Sequence, residues 1–153
     1  MSIEGPDPTK LPAIRQWGSQ YGGKLGIWDY LARQGGASLA VACSYLFWPS
    51  FVEVNGCVLL EERYEPENFC EWWERLSGNI PEVEGMINHV RLWDVFYLDE
   101  DELPDGTLEE LAHVMAKGWE CALSEAYPSR AFEVRLSVQD EDYGPTVSFS
   151  SAP

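Results

Sequence analysis

The dipeptide Asn55-Gly56 sits between two apolar runs, Phe51-Val52-Glu53-Val54 and Cys57-Val58-Leu59-Leu60, and no other feature restricts the chain as strongly. A two-residue type I′ turn needs positive φ at both central positions, and Asn-Gly tolerates it. The β-branched and aromatic residues on either side favour strand. An antiparallel hairpin over about residues 51–61 is therefore expected. A second hairpin is expected near the C-terminal end. There Phe132, Val134, Leu136 and Val138 alternate with Glu133, Arg135 and Ser137, the period of a half-buried strand. Asp140-Glu141-Asp142-Tyr143-Gly144 turns the chain, and Thr146 to Ser150 returns.

Helical signals fill the intervals. Ile27, Trp28, Tyr30 and Leu31 predict a short helix closed at Gly35-Gly36, and the alanine-rich segment Ala37 to Phe47 predicts another, stopped by Pro49. Pro66 suits a first helical turn, after which Phe69, Trp72, Trp73 and Leu76 share one face until Ser77-Gly78. Pro81 opens a further helix with Val83, Met86, Ile87 and Val90 inward. Leu92 to Leu98 is apolar without a decisive period, fitting a strand or a buried extended segment. Thr107-Leu108-Glu109-Glu110 has the form of a capping box, and Leu108, Leu111, Ala112, Met115, Trp119 and Ala122 continue a helix to about Tyr127. The expected fold is α+β: an antiparallel sheet built from two β-hairpins, about 51–61 and 131–150, with helices packed on one face. Pro6, Pro8 and Pro12 mark residues 1–12 as an extended or disordered arm, leaving 13–153 as a single acidic domain.

Charge is the strongest functional signal. Residues 1–50 hold four basic and three acidic residues, a net of +1, whereas residues 51–153 hold 23 acids and six bases, a net of −17. Such a field repels phosphates, so neither nucleic acid nor an acidic membrane is an expected partner. A basic protein would be drawn in. The N-terminus lacks a basic segment followed by an apolar one, and the longest apolar stretch, Ala37 to Trp48, falls short of the roughly 20 residues that cross a bilayer. A cytoplasmic protein is expected. Cys43, Cys57, Cys70 and Cys121 are scattered with no CxxC pair, as buried free thiols would be.

Chemical motifs are sparse. The glycines at 18, 22, 23 and 26 match no phosphate loop, and there is no HExxH or GxSxG. No metal and no cofactor is expected. The two histidines are His113, on a charged helix face, and His89, near Arg91 and Asp94. A catalytic reading makes His89 a general base oriented by Asp94, in a pocket shared with Cys70, Trp93 and Tyr97. The leading expectation is different: a non-catalytic acidic binding protein, of the bacterial immunity or antitoxin type, that inhibits a basic partner such as a nuclease toxin. Its contact residues would be Glu61, Glu62, Glu65, Glu67, Glu71, Asp99, Glu100, Asp101 and Glu102, with Trp72 as aromatic anchor. The alternative is a small-molecule-binding domain or an enzyme with its pocket near His89. Monomer and dimer both stay open, since a charge of −16 on every copy opposes self-association unless a large apolar patch overrides it.

Overall fold

The structure, a computed structural model, describes residues 5–23, 26–96, 103–138 and 143–153. Within the expected arm, Asp7 accepts the Thr9 amide at 2.9 Å and caps a 3-10 turn at Pro8–Lys10. Pro12 then supplies the first turn of α1 (Pro12–Gln20), where its missing N–H costs nothing. Short α2 (Ile27–Tyr30) has its first amide tied down by Asp29, at 2.8 Å from Gly26 N. A π turn at Leu31–Gly35 leads to Gly36, whose φ of 74° breaks the helical path as the glycine pair predicts. α3 (Gly36–Phe47) follows.

The Asn-Gly hairpin forms as expected. β1 (Phe51–Val54) pairs with β2 (Cys57–Leu60), and Asn55 and Gly56 take φ of 50° and 82°. A 3-10 turn at Glu61–Arg63 leads into α4 (Pro66–Arg75), and α5 (Ile80–Ile87) follows, with the Asn79 side chain accepting from Glu82 N. Then come β3 (His89–Arg91), α6 (Leu92–Val95), the long α7 (Thr107–Ala126), β4 (Phe132–Ser137) and β5 (Thr146–Ser151).

The α+β class and both antiparallel hairpins are present, but the hairpins lie in separate sheets. One sheet is β1-β2; the other has the order β3-β5-β4, with β5 in the middle. The segment left undecided by its periodicity thus divides: the third strand lies just upstream, at 89–91, and Leu92–Val95 is a helical turn. The capping box does not form. Gly106, at φ 85°, takes the N-cap, and the Thr107 hydroxyl donates instead to the Pro104 carbonyl at 2.8 Å. The Asp105-Gly106 turn delivers the chain one residue earlier than a threonine cap would.

All four residues of β2 are buried, so both of its faces are covered. Val58 and Leu60 join Met115, Trp119 and Leu123 of α7 and Val147 and Phe149 of β5 in one core. Cys57 and Leu59 join Phe69 of α4 and Val83 and Ile87 of α5 in a second core on the opposite side. Met86, expected inward, is 41 % exposed, because α5 is embraced on one side only.

Two fully buried polar side chains of α5 join the sheets. Glu84 accepts from Val58 N of β2 at 2.9 Å, and from the amide and hydroxyl of Ser151 in β5. Asn88 accepts from Leu60 N at 2.9 Å and donates to the Val58 carbonyl at 2.8 Å, while its own carbonyl accepts from Phe149 N. The outward edge of β2, and the part of β5 that runs beyond the end of β3, are therefore saturated by the end of a helix instead of by each other. Arg130 closes the arrangement, donating to the Gly56 carbonyl at 2.9 Å and to Ser151 Oγ at 3.1 Å, with Glu84 3.9 Å away.

Replacing Glu84 by Ala leaves the buried Val58 amide and the part-buried amide and hydroxyl of Ser151 without their acceptor and should cost about 2–4 kcal/mol, read as a lowered denaturation midpoint. Glu84→Gln, which keeps the shape but turns one acceptor into a donor, should cost roughly 1–3 kcal/mol. An unchanged midpoint in the alanine variant would show that the joint does not hold the sheets.

Candidate functional site

Two surfaces and one polar strand emerge from this frame. The first surface is the acidic flank running from the 3-10 turn after β2 through α4. Leu60 is the last core residue, so the chain leaves the interior at Glu61 and its next carboxylates face water. Glu61, Glu62, Glu65, Glu67, Glu71 and Glu74 are all exposed. Among the described residues only Glu71 of these is in an ion pair, with Arg75 at 2.9 Å. Trp72 is half-buried against the second core, with the Arg75 guanidinium 5.1 Å from its ring centre. Trp73 stacks on Phe69 at 5.6 Å and belongs to the packing. The structure thus brings Glu61, Glu62, Glu65, Glu67, Glu71 and Trp72 into one continuous stretch. Asp99, Glu100, Asp101 and Glu102 lie outside the described residues, as do the acids at 140–142.

The second surface is an apolar groove of about 730 Å³. Leu39, Tyr45 and Leu46 of α3 form one wall, Val95 and Phe96 another, and Leu60, Val90 and Trp119 lie among its lining. Among the described residues Glu62 and Arg63 are the only charged ones on it. It is large enough for a small ligand by volume, and most of its lining is apolar.

Of the residues assigned to a pocket near His89, Cys70, His89, Trp93 and Asp94 do not line this groove. His89 lies on β3 opposite Ser148, half-buried. Burial pushes its pKa below the ordinary histidine value; Arg63 and Arg91 push the same way, while a hydrogen bond to the Met86 backbone and the charge of Asp94 oppose. No hydrogen bond or ion pair joins His89 to Asp94 among the described residues. Trp93 lies against Gly144, where an added Cβ would come within 2.4 Å of its ring, so this tryptophan is used in seating the second hairpin. Cys70 is exposed on α4, and Tyr97 lies outside the described residues. No cluster of potential metal ligands occurs among the described residues. None of their helices is long and apolar enough to cross a membrane.

Cys57 differs from the other thiols. Burial, aided by the charge of Glu84 and partly offset by Arg130, pushes it up to about 11. No pattern in the sequence announces the group Cys57, Glu84, Asn88 and Arg130. Every contact in it is structural. No family model, no curated protein and no solved structure matches this chain.

A thiol reagent at pH near 8 should modify exposed Cys70 and Cys121 rapidly in the native protein, and Cys57 only after unfolding. Rapid native labelling of Cys57 would contradict its placement. For His89, the unfolded pKa lies near 6.5 and the folded value below it, so the unfolded chain binds the extra proton first as pH falls. Stability contributed by neutral His89 is complete above about pH 6.5 and is lost as pH drops through the window below it. His89→Gln should flatten this part of the pH–stability curve relative to wild type, measured by denaturant titration.

Proposed function

We propose that this is an acidic binding protein whose residue 61–75 flank docks a basic protein partner, in the manner of an immunity- or antitoxin-type inhibitor. The observation that carries it is the state of the carboxylates. Glu61, Glu62, Glu65, Glu67 and Glu74 are exposed within one short stretch and have no ion pair among the described residues. Of the six basic residues beyond position 50, four have local carboxylate partners: Arg75 with Glu71, Lys117 with Glu120, Arg130 with Glu53 and Glu84, and Arg135 with Glu133. Within the flank itself Arg63 and Arg75 stand against six carboxylates, a net of −4 over residues 61–75. Self-repulsion of this kind destabilises a folded chain, and a cationic partner relieves it. Trp72, half-buried beside these acids, supplies the apolar anchor that charge alone lacks.

Docking would be fast and steered by charge, and specificity would come from the aromatic anchor and the spacing of the acids along α4. Titration against a panel of basic proteins, nucleases included, should show saturable binding that weakens steeply between low and physiological salt. The triple variant Glu61→Lys, Glu65→Lys, Glu67→Lys replaces exposed, unpaired residues and should leave the fold intact. Exposed pairs are each worth about 0.2–1 kcal/mol, so reversing three should weaken binding by about tenfold to a hundredfold or more. Binding insensitive to salt and to these substitutions would overturn the proposal.

A further inference from the structure

Helix α3 poses a problem that the acidic flank does not address. Its sequence, GASLAVACSYLF, is apolar on every side, and such a helix belongs in an interior. Yet none of its twelve residues is buried. Its C-terminal end rests on α7 and the first core, through the close approach of Phe47 to Gly118 and a 2.8 Å hydrogen bond from Trp119 Nε1 to the Leu46 carbonyl. A Cβ on Gly118 would stand 2.1 Å from the Phe47 carbonyl oxygen, so the contact is built to be close. Leu39, Val41, Tyr45 and Trp48 are about half exposed, and Trp28 of α2 is 85 % exposed.

We propose that this face is covered by a second copy of the same chain, making a two-fold dimer through α3. Charge selects the occupant. Residues 27–48 contain one acid and one base, Asp29 and Arg33, so the face is neutral on a chain that carries −16 overall. Two copies meeting elsewhere would oppose like charge to like charge; meeting here, they keep their acidic portions away from the contact. Shape supports the same occupant. Val41, Tyr45 and Trp48 form a ridge along α3, and the 730 Å³ groove runs beside that ridge on the same helix. An isologous contact needs such a self-complementary pair, the ridge of each copy entering the groove of the other. Aromatic side chains bury about 150–250 Å² when fully covered, so Tyr45 and Trp48 at their observed exposures offer on the order of 200 Å². That is about a quarter of the roughly 800 Å² per subunit of a standard interface, with Leu39, Val41 and the groove walls adding to it. The inference does not rest on the basic partner: of the flank's acids only Glu62 lines the groove, and Glu61, Glu65, Glu67, Glu71 and Glu74 are not part of its lining.

Sedimentation velocity of the full chain should give twice the 17.3 kDa chain mass, and the dimer should tighten as salt screens the residual repulsion between copies. This salt response is opposite to that of the acidic flank for a basic protein, so the two proposals fail separately. Val41→Glu and Tyr45→Glu alter exposed residues and should each weaken the dimer by about tenfold or more, because a charge would be buried without a partner. Ser129→Glu, an exposed control outside this stretch, should not. Far-UV circular dichroism verifies that each variant is folded. Hydrogen exchange on the wild-type chain gives a readout independent of any variant: raising protein concentration should slow exchange within residues 27–48. A monomer at all concentrations and salts overturns the proposal. So does a monomer that floats with neutral phosphatidylcholine vesicles, which assigns the face to lipid, or a dimer indifferent to both glutamate variants.

Discussion

The fold depends on the way Glu84 and Asn88 stand in for a missing strand. The Asn-Gly hairpin presents an edge of β2 with free amides at Val58 and Leu60, and β5, beyond the end of β3, presents free amides at Phe149 and Ser151. Two such edges buried side by side would be costly if unpaired. The last turn of α5 places the Glu84 side chain against both edges, and places Asn88 against β2 through its side chain and against Phe149 through its backbone carbonyl. The result is a continuous hydrogen-bonded path from β1 to β4 in which one link is a helix. No buried side-chain polar atom among the described residues is left without a partner.

This link has consequences for layering. With α5 wedged between the sheets, β2 acquires a second apolar face, and the chain builds two cores where one sheet would give one. The first core takes α7 and the C-terminal hairpin; the second takes α4 and the tryptophans at 72 and 73. Because α4 is held only along that inner side, its carboxylates and those of the preceding turn are turned to water. The acidic flank is therefore a product of the second core, and the joint at Glu84 indirectly decides where the charge is displayed.

The remaining surface is chemically divided. From residue 51 onward the chain is acidic; residues 27–48 are neutral, apolar and laid on the outside. The first has the charge that a cationic partner would meet, the second the neutrality that an uncharged face would meet. They lie on largely different elements and share only the turn after β2, where Glu62 and Arg63 also line the groove.

Local chemistry made several features legible in the sequence. The type I′ turn at Asn55-Gly56, the β4 alternation, the α7 periodicity and the acidity after residue 50 are set by φ preference, period and composition, none of which needs a partner. Thr107 misled because the left-handed Gly106 beside it was the better cap. His89 and Asp94 looked like a catalytic pair because they are near in sequence, yet strand and helix geometry hold them without a hydrogen bond between them. Glu84 and Asn88 carry no sequence signature, since their partners are backbone amides about 26 to 67 positions away. By itself the sequence determined the hairpins, the helices α3, α4, α5 and α7 and the segregation of charge, because these follow from neighbouring residues, whereas α1, β3 and α6 carried no decisive local pattern. The tertiary structure alone decided that the hairpins form two sheets, that a glutamate and an asparagine bridge them, and that the most apolar helix lies outside, because each depends on which distant groups arrive to satisfy or cover the other.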